Sequence, residues 1–205
     1  MDMGVTIVHI STDSIKIANA TEEIIKFIFE FGKQYGYTFE HEATYSKMCI
    51  VNDAVYIAEE VEADGQPCEP FWTATGKQFQ VPYVFKTLFS HEDITFDDLC
   101  ETMSTTSALY LNDHFVGRVG EFTPVTEDAQ GCELLRLSGV DENGNNKFAA
   151  ATGSKGYLWL ESEMVRSMFA DPMSVVDMSY YHKLADKAIE AIEEYVPFDK
   201  FVNSR

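Results

Sequence analysis

Between Val5 and Ala18 two Val- and Ile-rich runs flank four polar turn formers, Ser11-Thr12-Asp13-Ser14. β-branched side chains suit a pleated strand, and Ser, Thr and Asp bond their own backbone in tight turns. The segment is therefore expected to fold as a hairpin with an exposed tip. That commits the start of the chain to antiparallel structure and sets one carboxylate, Asp13, on the crest of a rigid bend.

The next segment reads as a helix. Asn19 is expected to cap it, Glu22 stands three residues on as in a capping box, and Gly36 sits where a helix stops. Ile24, Ile25, Phe27, Ile28, Phe31 and Tyr35 give it a broad apolar face. From Tyr37 to Tyr45, apolar and polar residues alternate, which predicts a strand with one buried face. A second hairpin is expected over Met48 to Ala58, turning at Asn52-Asp53. Hairpin, helix, strand, hairpin describes an antiparallel sheet backed by a helix.

Glu59 to Pro70 is acidic, with Asp64-Gly65 and two prolines, and reads as a boundary or exposed loop. Beyond it, Pro82 is placed to start a helix through Phe89, and Thr95 to Glu101 forms another short one. Glycines, Asn143-Gly144 and short apolar runs predict an antiparallel β unit over residues 108–161. Tyr181, Leu184, Ala185, Ala188, Ile192 and Tyr195 recur at helical spacing in a last helix, Ser179 to Tyr195. The expected fold class is α+β, with a first domain over residues 1–60 and a second α+β domain over 61–205.

With 45% hydrophobic and 13% aromatic residues the chain can build a core. No apolar run approaches the roughly 20 residues of a membrane-spanning helix. Met1-Asp2-Met3-Gly4 lacks the basic and apolar regions of a signal peptide. The expectation is a soluble, cytoplasmic chain. Cys49, Cys68, Cys100 and Cys132 form no CxxC pair, so reduced thiols are expected rather than a zinc cluster. The formal net charge of −19 argues against nucleic-acid contact, because phosphate binding draws on Lys and Arg.

A carboxylate on a sharp turn between strands is what two-metal phosphoryl transfer asks for. Mg2+ takes hard oxygen ligands, and paired ions about 3.5–4 Å apart clamp the attacking and leaving oxygens. Here the sequence resembles the motif C hairpin of family B DNA polymerases, usually written Asp-Thr-Asp-Ser and then apolar residues. The order downstream is similar too: a helix, a strand with alternating Glu (Phe39-Glu40-His41-Glu42-Ala43-Thr44-Tyr45), then an apolar run where the family carries its Lys-x-Tyr element, here Ala54-Val55-Tyr56. The likeness covers roughly the first 60 residues and has the wider look of phage-type enzymes.

The resemblance implies a partial polymerase palm over 1–60 and a thumb-like module over 61–205. It makes Asp13 the metal-binding catalytic residue for Mg2+, and it places Tyr56, with Thr12 and Ser14 at the tip, against primer–template DNA. Lys77, Lys86 and Lys155 are the cations offered to the DNA backbone. Ser11 stands where the family has its first aspartate, and Ala54 where it has the Lys of Lys-x-Tyr. Motifs A and B, which supply the second metal-binding aspartate and the Lys that meets the triphosphate, lie upstream of motif C in that family. The implied partner is an amino-terminal polymerase chain carrying them, in the host cell cytoplasm if the gene is a phage's. Alone, one carboxylate cannot hold two magnesium ions against their hydration. The alternative is a non-catalytic acidic protein-binding module or polymerase remnant.

Blander readings stand beside these. Asp13 as a turn former, Tyr56 as a packed tyrosine, and His9 and His41 as core histidines need no site. Gly153-Ser154-Lys155-Gly156 lacks full phosphate-loop spacing and reads better as a hairpin turn. Trp72 and Trp159 read as packing. The tail, Pro197-Phe198-Asp199-Lys200-Phe201-Val202, is either an aromatic peptide for a sliding clamp or two rings packing the last helix, and packing is the simpler reading.

Overall fold

A computed structural model describes residues 4–111, 114–126, 134–150, 157–159 and 171–204. Two compact units divide the chain, residues 1–80 with 188–205 and residues 81–187. The α+β class holds, with antiparallel strands and helices in mixed order.

In the first unit, β1 (Thr6–Ile10) and β2 (Ile15–Ala18) pair antiparallel, with Thr6 opposite Ala18 and Ile10 opposite Ile15. Among the described residues this hairpin is a two-stranded sheet of its own. Helix α1 (Glu22–Gln34) follows. Its cap is Thr21, whose hydroxyl accepts the Ile24 N–H at 3.4 Å, and not Asn19. Asn19 is left-handed (φ 52°), so it turns the chain out of β2 two residues before the cap. The stop falls where expected: Tyr37 N–H bonds Gly32 C=O and Gly36 N–H bonds Lys33 C=O, with Gly36 at φ +83°. Thr21→Ala is expected to cost about 0.5–1 kcal/mol. A urea melt followed by far-UV circular dichroism would show it, and an unchanged midpoint would remove Thr21 as the cap.

A three-stranded sheet comes next, in the order β3 (Ala43–Asn52), β4 (Val55–Ala63), β5 (Gln66–Thr75). The strand expected over Tyr37 to Tyr45 is formed only from Ala43. Its partner β4 ends at Ala63, and Asp64 N–H closes the ladder on Glu42 C=O, so among the described residues no strand lies opposite 37–42. The β3–β4 turn is Asp53-Ala54, one residue later than expected, held by Ala54 N–H on Asn52 Oδ1 at 2.9 Å. Glu59 to Pro70 is not a loop. Asp64 (φ 51°) and Gly65 (φ 70°) make a two-residue type I′ turn that joins β4 to β5. The border expected after residue 60 therefore falls inside a strand.

Ile57 and Ala58, adjacent in β4 and so facing opposite sides, are both fully buried. On the Ile57 side, Trp72 lies 5.7 Å from Phe201, which is buried in α5 (Phe198–Asn203). Lys47 reaches from β3 to the carbonyls of Val202 and Ser204 at 3.0 and 2.8 Å, capping that helix. The tail is thus folded into the first unit, as the packing reading has it, and Phe201 is not free to dock on a sliding clamp. Before α5, the long helix α4 (Met178–Glu193) spans the unit border, with Tyr181, Ala185, Ala188 and Ile192 buried at helical spacing.

The first unit also contains the short helix α2 (Lys77–Gln80). The second unit opens with α3 (Pro82–Phe85) and a π-helical turn through Ser90, closed by His91 N–H on Lys86 C=O at 2.8 Å. A 3-10 turn, Phe96–Leu99, carries a true capping box between Thr95 and Asp98. The adjoining five-stranded sheet runs β10-β7-β6-β8-β9, from β6 (Glu101–Leu111), β7 (His114–Pro124), β8 (Leu134–Val140), β9 (Asn146–Ala150) and β10 (Tyr157–Trp159). It confirms the expected β unit and begins seven residues earlier, at Glu101. Tyr181 O–H bonds Leu99 C=O and its ring lies 5.4 Å from Tyr83, which ties α4 to the start of that unit.

Candidate functional site

The hairpin tip is closed by Ser11 N–H on Ser14 C=O at 2.9 Å, leaving Thr12 and Asp13 exposed and Ser14 half-buried. Among the described residues no side chain pairs with the Asp13 carboxylate. The tip is therefore local in origin, made by the turn residues themselves, and its one acid is open to solvent.

The body of the hairpin is pinned by a cross-strand pair. His9 and Lys16 stand opposite each other in the β1–β2 register. His9 Nε2 lies 3.2 Å from the Asp53 carbonyl in the β3–β4 turn, and the Lys16 ammonium lies 5.1 Å from the centre of the Tyr56 ring. With Nε2–H donating to that carbonyl, Nδ1 carries the lone pair, and it is buried without a partner among the described residues. These contacts bring the Asp13 hairpin and Tyr56 into one neighbourhood. Sequence reasoning missed Lys16; the available signal was a lone cation in an otherwise apolar strand.

Tyr56 is half-buried, opposite Ile50 on one side and Thr75 on the other, with its N–H on Thr75 Oγ1 at 3.3 Å. Its hydroxyl shares a hydrogen bond with Tyr45. Burial, then Tyr56, Glu60 and Glu42, push the Tyr45 phenol above its usual range. Nearby, burial together with Glu42 and Asp64 raises the Glu60 carboxyl. His41, Thr44 and Glu62 are linked, with Thr44 O–H on Glu62 at 2.8 Å and His41 Nε2 3.1 Å from that hydroxyl, so His41 is satisfied within the sheet.

The cations divide. Lys77 is exposed at the start of α2. Lys86 is occupied: its ammonium lies 3.0 Å from Asp98, 3.3 Å from the Asp93 carbonyl and 3.8 Å from Glu92, which makes it a structural cation and not a free phosphate contact. Lys155 and its glycine neighbours lie outside the described residues, as does Cys132, while Cys49, Cys68 and Cys100 form no disulfide among the described residues.

The Lys86–Asp98 pair carries a pH dependence. Burial pushes Asp98 upward, but Thr95 N–H, Lys86 and Thr95 O–H together outweigh it and hold the carboxyl below its usual value. A depressed carboxyl stabilises the folded state above its unfolded pKa of about 3.9, and that stability is lost as pH falls through the folded value. The second unit is expected to lose stability below about pH 4, and Asp98→Asn to flatten that loss. Thermal melts between pH 3 and 6 check this; parallel curves for parent and variant would refute it.

Among the described residues no three of His, Cys, Asp and Glu converge as metal ligands. Asp13 fits one donated Mg2+ ligand, an exposed hard oxygen on a closed turn, and not a whole site. No helix among the described residues is long and apolar enough to cross a membrane. No protein-family model, curated protein or solved structure matches the chain.

Proposed function

We propose that this chain supplies the motif C hairpin and a thumb-like module to a family B type DNA polymerase, and is inactive without the part of such an enzyme that carries motifs A and B. The observation that carries this is the hairpin itself. Among the described residues its crest holds an exposed, unpaired Asp13, Ile7, Val8 and Ile10 of β1 are exposed below it, and β1 pairs only with β2. Ile7 and Ile10 stand opposite Ile17 and Ile15 and share one open face, while His9 turns to the β3–β4 side. An isolated two-stranded hairpin is marginal in water. A β-branched strand with an open apolar face, a free edge and no Lys or Pro of its own is what half of a sheet looks like.

In this reading Asp13 holds one position on magnesium. The bound ions supply the charge that stabilises the transferring phosphoryl group. Tyr56 contacts the primer strand, and Lys16 sets a cation beside it, offsetting the lysine that Ala54 displaces. Thr12, Ser14 and Lys77 are further DNA contacts, with Lys155 the remaining candidate. The net charge of −19 makes binding weak and steeply salt-dependent unless the complementing chain is basic.

The test is complementation. The chain is mixed with a palm half carrying motifs A and B, and primer extension is assayed with Mg2+; extension is expected from the mixture and from neither part alone. No extension, with no binding to primer–template DNA even at low salt, would favour the second reading, an acidic module for a protein partner. The carboxylate crowding at Glu42, Glu60 and Asp64 is the observation on its side.

A further inference from the structure

The apolar surface of α1 is wider than one contact can use. Ile25, Ile28, Phe29 and Gly32 lie on one side, half-buried or buried. There the chain has already closed over the helix: a Cβ at Gly32 would fall 2.6 Å from the Phe39 ring. Phe27, Phe31 and Tyr35, spaced by four, form a second stripe. They are 45%, 48% and 66% exposed. Their rings stack along the axis, 5.9 Å from Phe27 to Phe31 and 5.0 Å from Phe31 to Tyr35. The two groups adjoin, so the apolar surface spans more than half the circumference of the helix, and this unit covers one part of it and leaves the other.

The border of the stripe tells what covers the other. Glu23 and Glu30 flank it, both exposed, and Lys26, 4.0 Å from Glu30, offsets part of that charge from farther round the helix. A second copy would bring another −19 against −19. We infer that the Phe27–Phe31–Tyr35 stripe is a docking surface for a cationic amphipathic helix, apolar along its seam and rimmed with Lys or Arg, contributed by the complementing polymerase chain. The identity of that chain rests on the proposed function; the chemistry of the surface does not. Rings of this kind are the residues that dominate helix-in-groove contacts, and the charged border selects the partner.

The full chain is titrated with a fluorescent amphipathic helix of Leu and Lys, and with its Leu and Glu counterpart. Anisotropy is expected to show binding of the first and none of the second. F27S/F31S keeps the net charge and is expected to weaken binding about tenfold, the loss of roughly one anchor. E23K/E30K leaves the rings in place and is expected to weaken the Leu/Lys helix while admitting the Leu/Glu one. Equal binding by F27S/F31S, with unchanged circular dichroism, would reduce the attraction to bulk charge and overturn the inference. So would sedimentation of the parent as a dimer that F27S/F31S dissolves, since the second copy would then be the occupant. Neither readout involves DNA, so failed primer extension with intact peptide binding sinks the polymerase reading alone.

Discussion

Asp13→Ala in the complemented polymerase is expected to cut primer extension about a thousandfold while leaving the chain folded. A metal-bound carboxylate helps hold several kcal/mol of transition-state stabilisation, and about 4 kcal/mol corresponds to a thousandfold in rate. The side chain sits on a turn closed by backbone, with no partner among the described residues, so its removal should move stability by no more than about 0.5 kcal/mol. That separation makes the variant informative. Lost extension with an unchanged melt places Asp13 at the reacting phosphates. Extension equal to the parent's makes it a turn former and nothing more. Ser11→Asp, which places an aspartate where family B polymerases carry their first, is the companion change and is expected to raise the rate if the proposed function holds.

The second large effect is structural and falls at Gly76, between β5 and α2. Gly76 has φ +83°, and a Cβ there would lie 2.5 Å from Val55 Cγ2 and 3.0 Å from the Ala54 carbonyl oxygen. Gly76→Ala therefore meets two costs at once. The left-handed backbone costs an L-residue about 1–2 kcal/mol. Displacing the β3–β4 turn adds about 1–3 kcal/mol, because one of the clashing atoms is backbone and cannot rotate away. Together they are expected to remove about 3 kcal/mol, a large share of a total near 5–15 kcal/mol. Calorimetry should show the transition of the first unit lowered by roughly 10 °C, given about 2–4 °C per kcal/mol for a chain of this size. A shift under about 2 °C would mean that the turn yields freely. The site should feel the same change, since Val55 precedes Tyr56 and Tyr56 pairs with Thr75 beside Gly76.

Features set by neighbouring residues were legible in the chain. The Ser11–Ser14 bend, the stop at Gly36, the last helix and the β unit all form from local turn chemistry or from periodicity within one element. The same reasoning misread Glu59–Pro70, where acidic composition outweighed an Asp-Gly pair that is a strong hairpin signal in its own right. It also read residues 37–42 as strand, because alternation describes a side-chain pattern and says nothing about whether a ladder partner is present.

Contacts between distant residues were not legible. Lys16 over Tyr56, His9 on Asp53, Lys86 on Asp98 and Phe201 on Trp72 join elements whose meeting depends on the whole packing. Such contacts turned Lys86 from a DNA cation into an internal ion pair and fixed what the packed tail rests on, Trp72 and Lys47 of the three-stranded sheet. By itself the sequence determined that a lone carboxylate would ride a hairpin crest, since four consecutive side chains suffice to bend and cap that turn. Only the tertiary structure decided which apolar faces the chain covers for itself and which it leaves open, because burial is a property of neighbours brought in from elsewhere.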